Sequence, residues 1–271
     1  MLRFSANIST LFTDRPFLDR FAAAARAGFT HVECQFPYEH PAAEVSRAMK
    51  DAGVAMVLHN LPAGDWTRGE RGQACQPSKQ QAFRDSVEQA LAYARELGVS
   101  QLNCLAGIPE AGAGPEQTRQ ILLENMRHAA AKLAASGVRL LVEPINNKDV
   151  PGFYLNTSQQ AFALMDELAA DNVYLQYDLY HAQRMEGDLI HTMSRHMARI
   201  GHMQIADNPG RGEPGTGELR YSYLFDWLDR SGYAGFVGCE YFPADGSPQG
   251  TERGLRWLAV HGRRATGDVL K

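Results

Sequence analysis

The sequence predicts an α/β protein built as a single (β/α)8 barrel. Four short apolar segments each end in a polar side chain, and these side chains are Glu143, Asp178, Gln204 and Glu240. They lie about 26 to 36 residues apart, close to the roughly 34 residues that each of eight strand-and-helix units would take in this chain. Because parallel barrel strands end at one rim, we expect the four side chains to meet there.

The first half of the chain alternates between strand and helix patterns. Its predicted strands, each a short run of apolar or β-branched residues, are 2–8, 30–35, 54–59 and 101–105. Its predicted helices, each with an apolar face at helical spacing, are 17–27, 42–52, 80–98 and 116–137. Gly28 and Gly53 end the first two helices, and Pro115 opens the fourth. This order implies parallel strands joined by helical crossovers.

The second half continues the same pattern to a short tail. Its predicted strands are 138–143, 173–178, 200–207 and 235–240. Its predicted helices are 158–168, a segment that starts at 179–184, 221–231 and 251–261. Pro144 ends the first of these strands because it cannot donate to a ladder. Residues 1–261 form the predicted barrel domain, and 262–271 are a predicted C-terminal tail in which Arg263 and Arg264 are solvated.

A long polar loop at 61–78 interrupts the pattern after the third strand. Loops of more than about 12–15 residues in a compact domain are often lids or binding loops. This one carries Trp66, Arg68, Glu70 and Arg71 close together. The composition favours an anion-binding lid over a simple surface loop.

Charge and composition limit the partners. The formal net charge is -4 and the isoelectric point about 6.1, whereas nucleic-acid-binding domains usually lie above about 9. No apolar run approaches the roughly 20 residues of a membrane span, and the N-terminal segment lacks the core of a signal peptide. Four scattered cysteines without a CxxC pair favour free thiols. We therefore expect a cytoplasmic protein with no nucleic-acid or membrane partner, and homo-oligomerisation stays open.

The four polar side chains at the rim predict a metal site. Three carboxylates and an amide that converge need a cation, and oxygen ligands favour Mg²⁺ or Mn²⁺ over zinc. Such a metal would polarise a carbonyl. Glu143 and Glu240 lie on opposite halves of the four-strand arc. One carboxylate is therefore expected to remove a proton beside the carbonyl, and the other to return it at the neighbouring carbon.

Several sequence blocks also resemble a known family. They are FSAN (4–7), HNLPAGDW (59–66), GERG (69–72), VEPIN (142–146), YDLYH (177–181) and QIADNP (204–209). These blocks resemble the hydroxypyruvate isomerase and 2-oxo-tetronate isomerase family of the xylose-isomerase-like TIM barrel superfamily. The resemblance implies a divalent metal on Glu143, Asp178, Gln204 and Glu240, with the two glutamates as acid and base. It also implies conversion of hydroxypyruvate to tartronate semialdehyde through an enediolate.

The resemblance extends to substrate contacts on the later strands. The ketose 3-epimerases of this superfamily have substrate contacts that correspond to Asp149 and His181. A capping or turn role is the alternative for Asp149, and an ordinary histidine at a helix start is the alternative for His181. The arginine that these epimerases have after the third ligand has no match in register, since Gly210 stands there, and Arg211 is its expected substitute.

A small 2-oxo acid or sugar acid brings a carboxylate that needs a cationic partner. We expect Arg71, with Glu70 in the same block, to supply it from the lid, because arginine forms a bidentate clamp. Arg68, Arg184 and Arg211 are the other candidates on rim loops. His59 is expected to face the pocket, although a buried, hydrogen-bonded histidine explains that position nearly as well.

Other functions stay open at this point. A 2-oxo-tetronate isomerase acting on a four-carbon acid is the closest alternative. A ketose 3-epimerase is less favoured, because these enzymes usually have histidine where this chain has Gln204. DNA-hydrolysing barrels would need more histidine ligands and a basic face, and a non-catalytic sugar-acid binder would not need both glutamates.

Overall fold

Eight parallel strands close into a barrel in the computed structural model of the chain, which describes residues 2–266. The strands pair in sequence order, and β8 pairs with β1. Their bounds are β1 Arg3–Asn7, β2 His31–Glu33, β3 Ala55–Asn60, β4 Gln101–Cys104, β5 Arg139–Val142, β6 Val173–Asp178, β7 Ile200–Ile205 and β8 Phe236–Cys239. The predicted (β/α)8 architecture is confirmed.

The helices surround the barrel and connect its strands. They are α1 Asp19–Arg26, α2 Ala42–Ala52, α3 Gln80–Leu97, α4 Pro115–Ala134, α5 Ser158–Leu168, α6 Leu179–Met185, α7 Leu189–His196, α8 Tyr221–Ser231, α9 Gly250–Gly254 and α10 Trp257–Val260. The predicted closing helix is thus two short ones. Helix α7 was not predicted, since Gly187 and Asp188 separate it from α6 with positive φ angles of 68° and 47°.

The apolar core lies in two places. Most of it fills the space between the strands and the helices that cover them. A smaller cluster of Val57, Leu58 and Leu141 packs with Tyr174 and Phe236. The four cysteines are buried as free thiols, as the sequence predicted.

The C-terminal segment contradicts one expectation. Arg263 is buried rather than solvated, because its guanidinium pairs with Asp229 and lies 3.5 Å from Asp226, both on α8. Ala265 is buried as well. Packing against the barrel therefore continues past the predicted boundary at 261, while Lys271 lies outside the described residues. Among residues 2–266, no helix has both the length and the apolar character needed to cross a membrane.

Candidate active site

Three buried acids stand at the C-terminal ends of barrel strands. Glu143 follows β5, Asp178 ends β6, and Glu240 follows β8. The exposed fractions of their side chains are 6%, 0% and 6%. The structure thus brings these three predicted residues to the rim where barrel enzymes carry their chemistry.

Asp178 has one carboxylate oxygen in use and one without a hydrogen-bond partner. Its Oδ1 caps α6 by accepting from the backbone N–H of Tyr180 at 2.8 Å. Its Oδ2 is buried and has no hydrogen-bond partner among residues 2–266. Nε2 of His181 lies 3.6 Å from it and Nη2 of Arg211 lies 3.7 Å away. An anionic oxygen in this state is costly without a partner, and its position suits a cation ligand.

Arg211 supplies positive charge to the acid cluster. Its Nη2 lies 3.0 Å from Oε1 of Glu240. Burial alone lowers the pKa of the guanidinium, but Glu240, Asp178 and Glu143 outweigh burial and raise it. The φ angle of Arg211 is 54°, in the left-handed region, where a non-glycine residue costs about 1–3 kcal/mol unless its surroundings impose it. The loop after β7 therefore holds this arginine in place against a backbone preference.

The acids resist full ionisation. Burial raises the pKa of Glu143 well above its usual range, and the charges of Glu240 and Asp178 raise it further. Burial also raises the pKa of Asp178. The pKa of Glu240 is raised to about 7, first by burial and then by Asp178 and Glu33. A carboxyl with a pKa of about 7, as Glu240 has, can hold or release a proton near neutral pH.

Gln204 lies next to Glu240 and directs its nitrogen toward the acids. Its Nε2 donates to Oε1 of Glu33 at 2.8 Å and to Oε2 of Glu240, while its Oε1 accepts from Gln176 at 2.7 Å. The pKa of Glu33 is lowered, and an ionised carboxylate only accepts, so Glu33 fixes the nitrogen of Gln204 on the side of the acids. Ligation of a metal through the oxygen of Gln204 would require its amide to turn.

Glu33 lies in the barrel interior beneath Gln204 and is fully buried. Its oxygens contact the side chains of Ser5, Asn7, His202 and Gln204. Burial favours its neutral form, but His202 at 2.8 Å and the hydrogen bonds outweigh burial and lower its pKa. Gly238 leaves room for it, because a Cβ there would lie 2.3 Å from Oε1 of Glu33. Sequence reasoning had placed Glu33 on a strand without a role, although an acid inside a buried strand was the available signal.

His181 lies beside two of the acids. Its Nε2 is 3.6 Å from Asp178 and 4.0 Å from Oε1 of Glu143. The potential ligand atoms of these three residues lie within 4.8 Å of one another. Nδ1 faces Asn146 on the opposite side of the ring. Burial, followed by the charge of Arg211, lowers the pKa of His181 well below its usual value, so the ring is neutral at pH 7.

Asp149 lies behind His181 rather than beside the acids. Its Oδ2 accepts from Asn146 at 3.0 Å and from the hydroxyl of Tyr180 at 2.7 Å, and Arg184 is 3.8 Å from its other oxygen. In this structure these contacts fasten the loop after β5, and a contact of Asp149 with substrate stays a prediction.

His59 points away from the acid cluster. Its buried ring lies edge-on to Tyr38, whose hydroxyl is 3.0 Å from Nδ1, and burial lowers its pKa to about 4. The next residue, Asn60, takes the inward position that was expected for His59, because side chains alternate along a strand. Asn60 accepts from Asn103 at 3.2 Å, and Asn103 donates to Oε2 of Glu143 at 2.7 Å.

The charged lid residues Arg71 and Glu70 form their contacts with neighbouring residues rather than with the acid cluster. The guanidinium of Arg71 stacks 4.0 Å from the ring of Trp66 and donates to the carbonyls of Trp66 and Glu70. The carboxylate of Glu70 accepts from a loop N–H and pairs with Lys79 at 3.0 Å. In this conformation Arg211, and not Arg71, is the arginine that reaches the acids.

The donor set fits a divalent cation. Asp178 presents an unpartnered oxygen, and three buried acids share one guanidinium. Carboxylate oxygens are the ligands that Mg²⁺ and Mn²⁺ prefer. Glu143 and Asp178 have ligand atoms within 4.8 Å of each other. They would hold such an ion, with Glu240, which Arg211 links to Asp178, as a third acid.

Comparison with known proteins identifies the family. A family model described as xylose isomerase-like TIM barrel matches residues 21–261. The chain belongs to this family. It is 50% identical to hydroxypyruvate isomerase of Escherichia coli (strain K12), over 95% of this chain and 98% of that one. It is 45% identical to 2-oxo-tetronate isomerase of Cupriavidus necator, over 95% and 98%. Like these members of the family, the chain is an isomerase.

Solved structures agree with this placement. A Brucella melitensis protein described as AP endonuclease, family 2, superposes with a TM-score of 0.91 at 44% identity, covering 96% of this chain and 99% of that one. An L-ribulose 3-epimerase superposes with a TM-score of 0.75 at 21% identity, covering 96% and 98%. At this identity the epimerase shows the shared fold alone.

Proposed function

We propose that the chain interconverts hydroxypyruvate and tartronate semialdehyde (2-hydroxy-3-oxopropanoate). The observation that carries the proposal is the pair of buried glutamates, Glu143 and Glu240, whose pKa values are raised within one acid cluster. Glu240, with a pKa of about 7, can both take and give a proton near neutral pH, and the raised pKa of Glu143 favours a form that can give one. The 50% identity to a hydroxypyruvate isomerase supports this choice of substrate.

The reaction moves two protons and needs no outside oxidant. One glutamate takes a proton from C3 of hydroxypyruvate, and the other gives a proton to C2. The hydroxyl proton at C3 passes to the oxygen at C2. The ketone thereby becomes a secondary alcohol and the primary alcohol becomes an aldehyde, so atoms and electrons balance within one molecule.

The substrate is held by polar groups around the cluster. We assign the carboxylate of the substrate to Arg211, because its guanidinium lies among the acids and can bind a carboxylate through two parallel bonds. We assign one substrate oxygen to His181, whose Nε2 faces the same space. Arg71 remains a candidate for a second contact, once the lid loop releases it from Trp66.

A divalent cation belongs to this proposal. When bound, Mg²⁺ or Mn²⁺ would polarise the carbonyl of the substrate. Glu143, Asp178 and Glu240 are the proposed carboxylate ligands. Gln204, the fourth residue predicted from the sequence, contacts the site through its hydrogen bond to Glu240 and would become a ligand only if its amide turned.

The direct test measures turnover of hydroxypyruvate with metal-stripped protein and with protein reloaded with Mg²⁺ or Mn²⁺. We expect stripping to abolish turnover without unfolding the chain, and reloading to restore it. Full turnover by stripped protein, or restoration by Zn²⁺ alone, would contradict the proposed site.

Substitutions can distinguish proton transfer by the two glutamates from metal ligation by the same residues. Glu240→Gln keeps an oxygen and nearly the same shape but removes the base. We expect kcat to stay ~10²–10⁴-fold low at saturating metal, as for the loss of a positioned acid or base, and Glu143→Gln to behave alike. Asp178→Asn is the matched control, since a pure ligand should recover part of its activity with excess metal. Full rescue of Glu240→Gln would rule out its role in proton transfer.

A second candidate is the isomerisation of 2-oxo-tetronate. The 45% identity to the Cupriavidus necator enzyme favours it. The two reactions use the same groups and differ by one carbon in the substrate. The ratio of kcat/KM values for the two acids, measured on one preparation, decides between them.

A further inference from the structure

We infer that Asn146 is a positioning residue that keeps the ring proton of His181 on Nε2, so that His181 faces the site as a hydrogen-bond donor. The geometry involves only a few side chains in the loops after β5 and β6. The catalytic consequence rests on the proposed function, whereas the position of the proton does not.

The amide of Asn146 has one orientation. Its Oδ1 accepts from the backbone N–H groups of Lys148 at 3.1 Å and Asp149 at 2.9 Å. Its Nδ2 donates to the carboxylate of Asp149 at 3.0 Å. Backbone N–H groups only donate and an ionised carboxylate only accepts, so all three contacts require the same assignment of oxygen and nitrogen. The residue is fully buried, which keeps water from competing.

This orientation turns donors toward one nitrogen of His181. Nδ2 of Asn146 lies 2.7 Å from Nδ1, and the backbone N–H of Asn146 also points to Nδ1 at 3.4 Å. A ring nitrogen that faces donors must accept, so in the neutral ring the proton is on Nε2. Arg211 lies 3.4 Å from Nε2, a long contact that cannot outweigh the 2.7 Å bond on the other side.

The position of this proton decides what His181 can do. A metal ligand must offer a lone pair, which a protonated Nε2 lacks. His181 therefore stays out of the ligand set, although it lies close to Glu143 and Asp178. Its N–H is available instead to an oxygen of the substrate. Asn146, which no sequence pattern had marked for a role, thus separates substrate binding from metal binding in this cluster.

The position of the proton can be read directly in long-range ¹H–¹⁵N spectra of metal-free, ¹⁵N-labelled protein. The chain has 9 histidines, and the signals of His181 are those lost in His181→Gln. We expect the wild-type ring to carry its proton on Nε2 and to keep it there when Mg²⁺ is added. A proton on Nδ1, or loss of the Nε2 proton with Mg²⁺, would overturn the inference without any need for a further variant.

A matched pair of variants tests the cause. Asn146→Asp keeps an acceptor for the two loop N–H groups but replaces the donor that faces Nδ1 with an oxygen, so the proton should move to Nδ1. Asn147→Asp makes the same change one residue later, on an exposed side chain, and should leave the ring unchanged. An unchanged ring in Asn146→Asp would refute the role of Asn146.

Turnover of hydroxypyruvate by the same samples gives the functional readout. Asn146→Asp should lose about tenfold or more in kcat/KM, the loss typical of one hydrogen bond to a charged group. Asn147→Asp should match the wild type. If wild-type protein turns over neither candidate acid, the proposed function fails while the spectra still decide the position of the proton.

Discussion

The guanidinium of Arg211 interacts electrostatically with three buried acids, Glu240, Asp178 and Glu143. Three acidic groups facing this one positive charge govern the chemistry of each residue. Arg211 contacts Glu240 and lies near Asp178, while one oxygen of Asp178 has no hydrogen-bond donor within the described part of the chain. Close carboxylates cannot all ionise in a dry space without compensating charge. The individual pKa values are therefore properties of the cluster, and a change at one residue alters its neighbours.

At the residue scale, Arg211→Lys should be costly. Lysine keeps the charge but loses the planar fork that contacts the acids and that we propose binds the substrate carboxylate. We expect kcat/KM to fall by roughly 10–100-fold, since hydrogen bonds to charged groups are worth about 1.5–3 kcal/mol. Arg71→Lys is the matched control, because Arg71 bonds within the lid. A larger loss in Arg71→Lys than in Arg211→Lys would return the carboxylate contact to the lid.

Proton release on metal binding should report on Glu240. Its pKa is raised to about 7, so at pH 6 a metal ion must displace a proton that is mostly absent at pH 8.5. We expect more protons to be released at pH 6 than at pH 8.5, and weaker metal binding at the lower pH. Calorimetric titrations with Mn²⁺ in buffers of different ionisation enthalpy measure the number of protons released. Equal release at both pH values would contradict the raised pKa.

At the scale of elements, the strands and their ends could be predicted because each strand is a short apolar run that stops at a polar residue. Glu143, Asp178 and Glu240 followed from that pattern alone. The pattern did not show which residue near the end of β3 faces inward. A register irregularity between β2 and β3 at Val32/Glu33 precedes that position. His59 therefore turns outward and Asn60 inward, and no local pattern shows such a shift.

The sequence also could not show which charged loop side chains contact the acid cluster. Arg71 and Asp149 have the charge that a substrate site needs, but Arg71 uses it within its own loop and Asp149 uses it on Asn146 and on Tyr180 of α6. Arg211 was predicted only as a substitute, yet it lies in the acid cluster. Which side chain reaches a site from a loop depends on backbone geometry, here including a positive φ angle, rather than on residue type.

The root of the lid offers a test at this scale. Gly72 passes so close to the loop after β4 that a Cβ would lie 2.4 Å from the carbonyl oxygen of Leu105. Gly72→Ala should therefore displace the lid and raise KM. Gly69→Ala is the matched control, because Gly69 also has a positive φ but no atom within 4 Å of its Cβ position. Steady-state kinetics should show the larger KM for Gly72→Ala, and equal values would mean that the lid does not contact substrate.

At the scale of the whole molecule, the buried acids set the pH dependence of stability. Below about pH 4.5, Glu240 is protonated in both the folded and the unfolded chain. Between that pH and about 7 the unfolded chain ionises while the folded site keeps its proton. This difference lowers the free energy of unfolding as pH rises through the interval, by an amount on the order of a few kcal/mol.

Metal-free protein should accordingly unfold at a lower temperature at pH 8 than at pH 6. Added Mg²⁺ should raise the unfolding temperature more at pH 8, because Glu240, one of its proposed ligands, is then mostly ionised. Thermal unfolding followed by circular dichroism measures both effects. Glu240→Gln cannot ionise, so its unfolding temperature should differ less between pH 6 and pH 8 than that of the wild type. An unchanged difference in unfolding temperature would mean that other groups cause it.

Gly238 and Glu33 are far apart in sequence but pack against each other inside the barrel. A methyl group there overlaps Glu33 and should cost about 1–3 kcal/mol of stability, as overpacking usually does. Glu33→Ala leaves a cavity and strands His202 without its carboxylate. Gly238→Ala in the Glu33→Ala background should cost less than in the wild type, with a coupling of about 0.5–3 kcal/mol in thermal unfolding. Simple additivity would contradict this.

An evolutionary history follows from this coupling. If the two positions depend on each other as the geometry indicates, neither can drift alone without a loss of stability. Relatives with a side chain at the glycine position should then carry a smaller residue in place of the buried acid. A lineage that exchanged this charged interior for hydrocarbon would have to change both codons or survive an unstable ancestor between them.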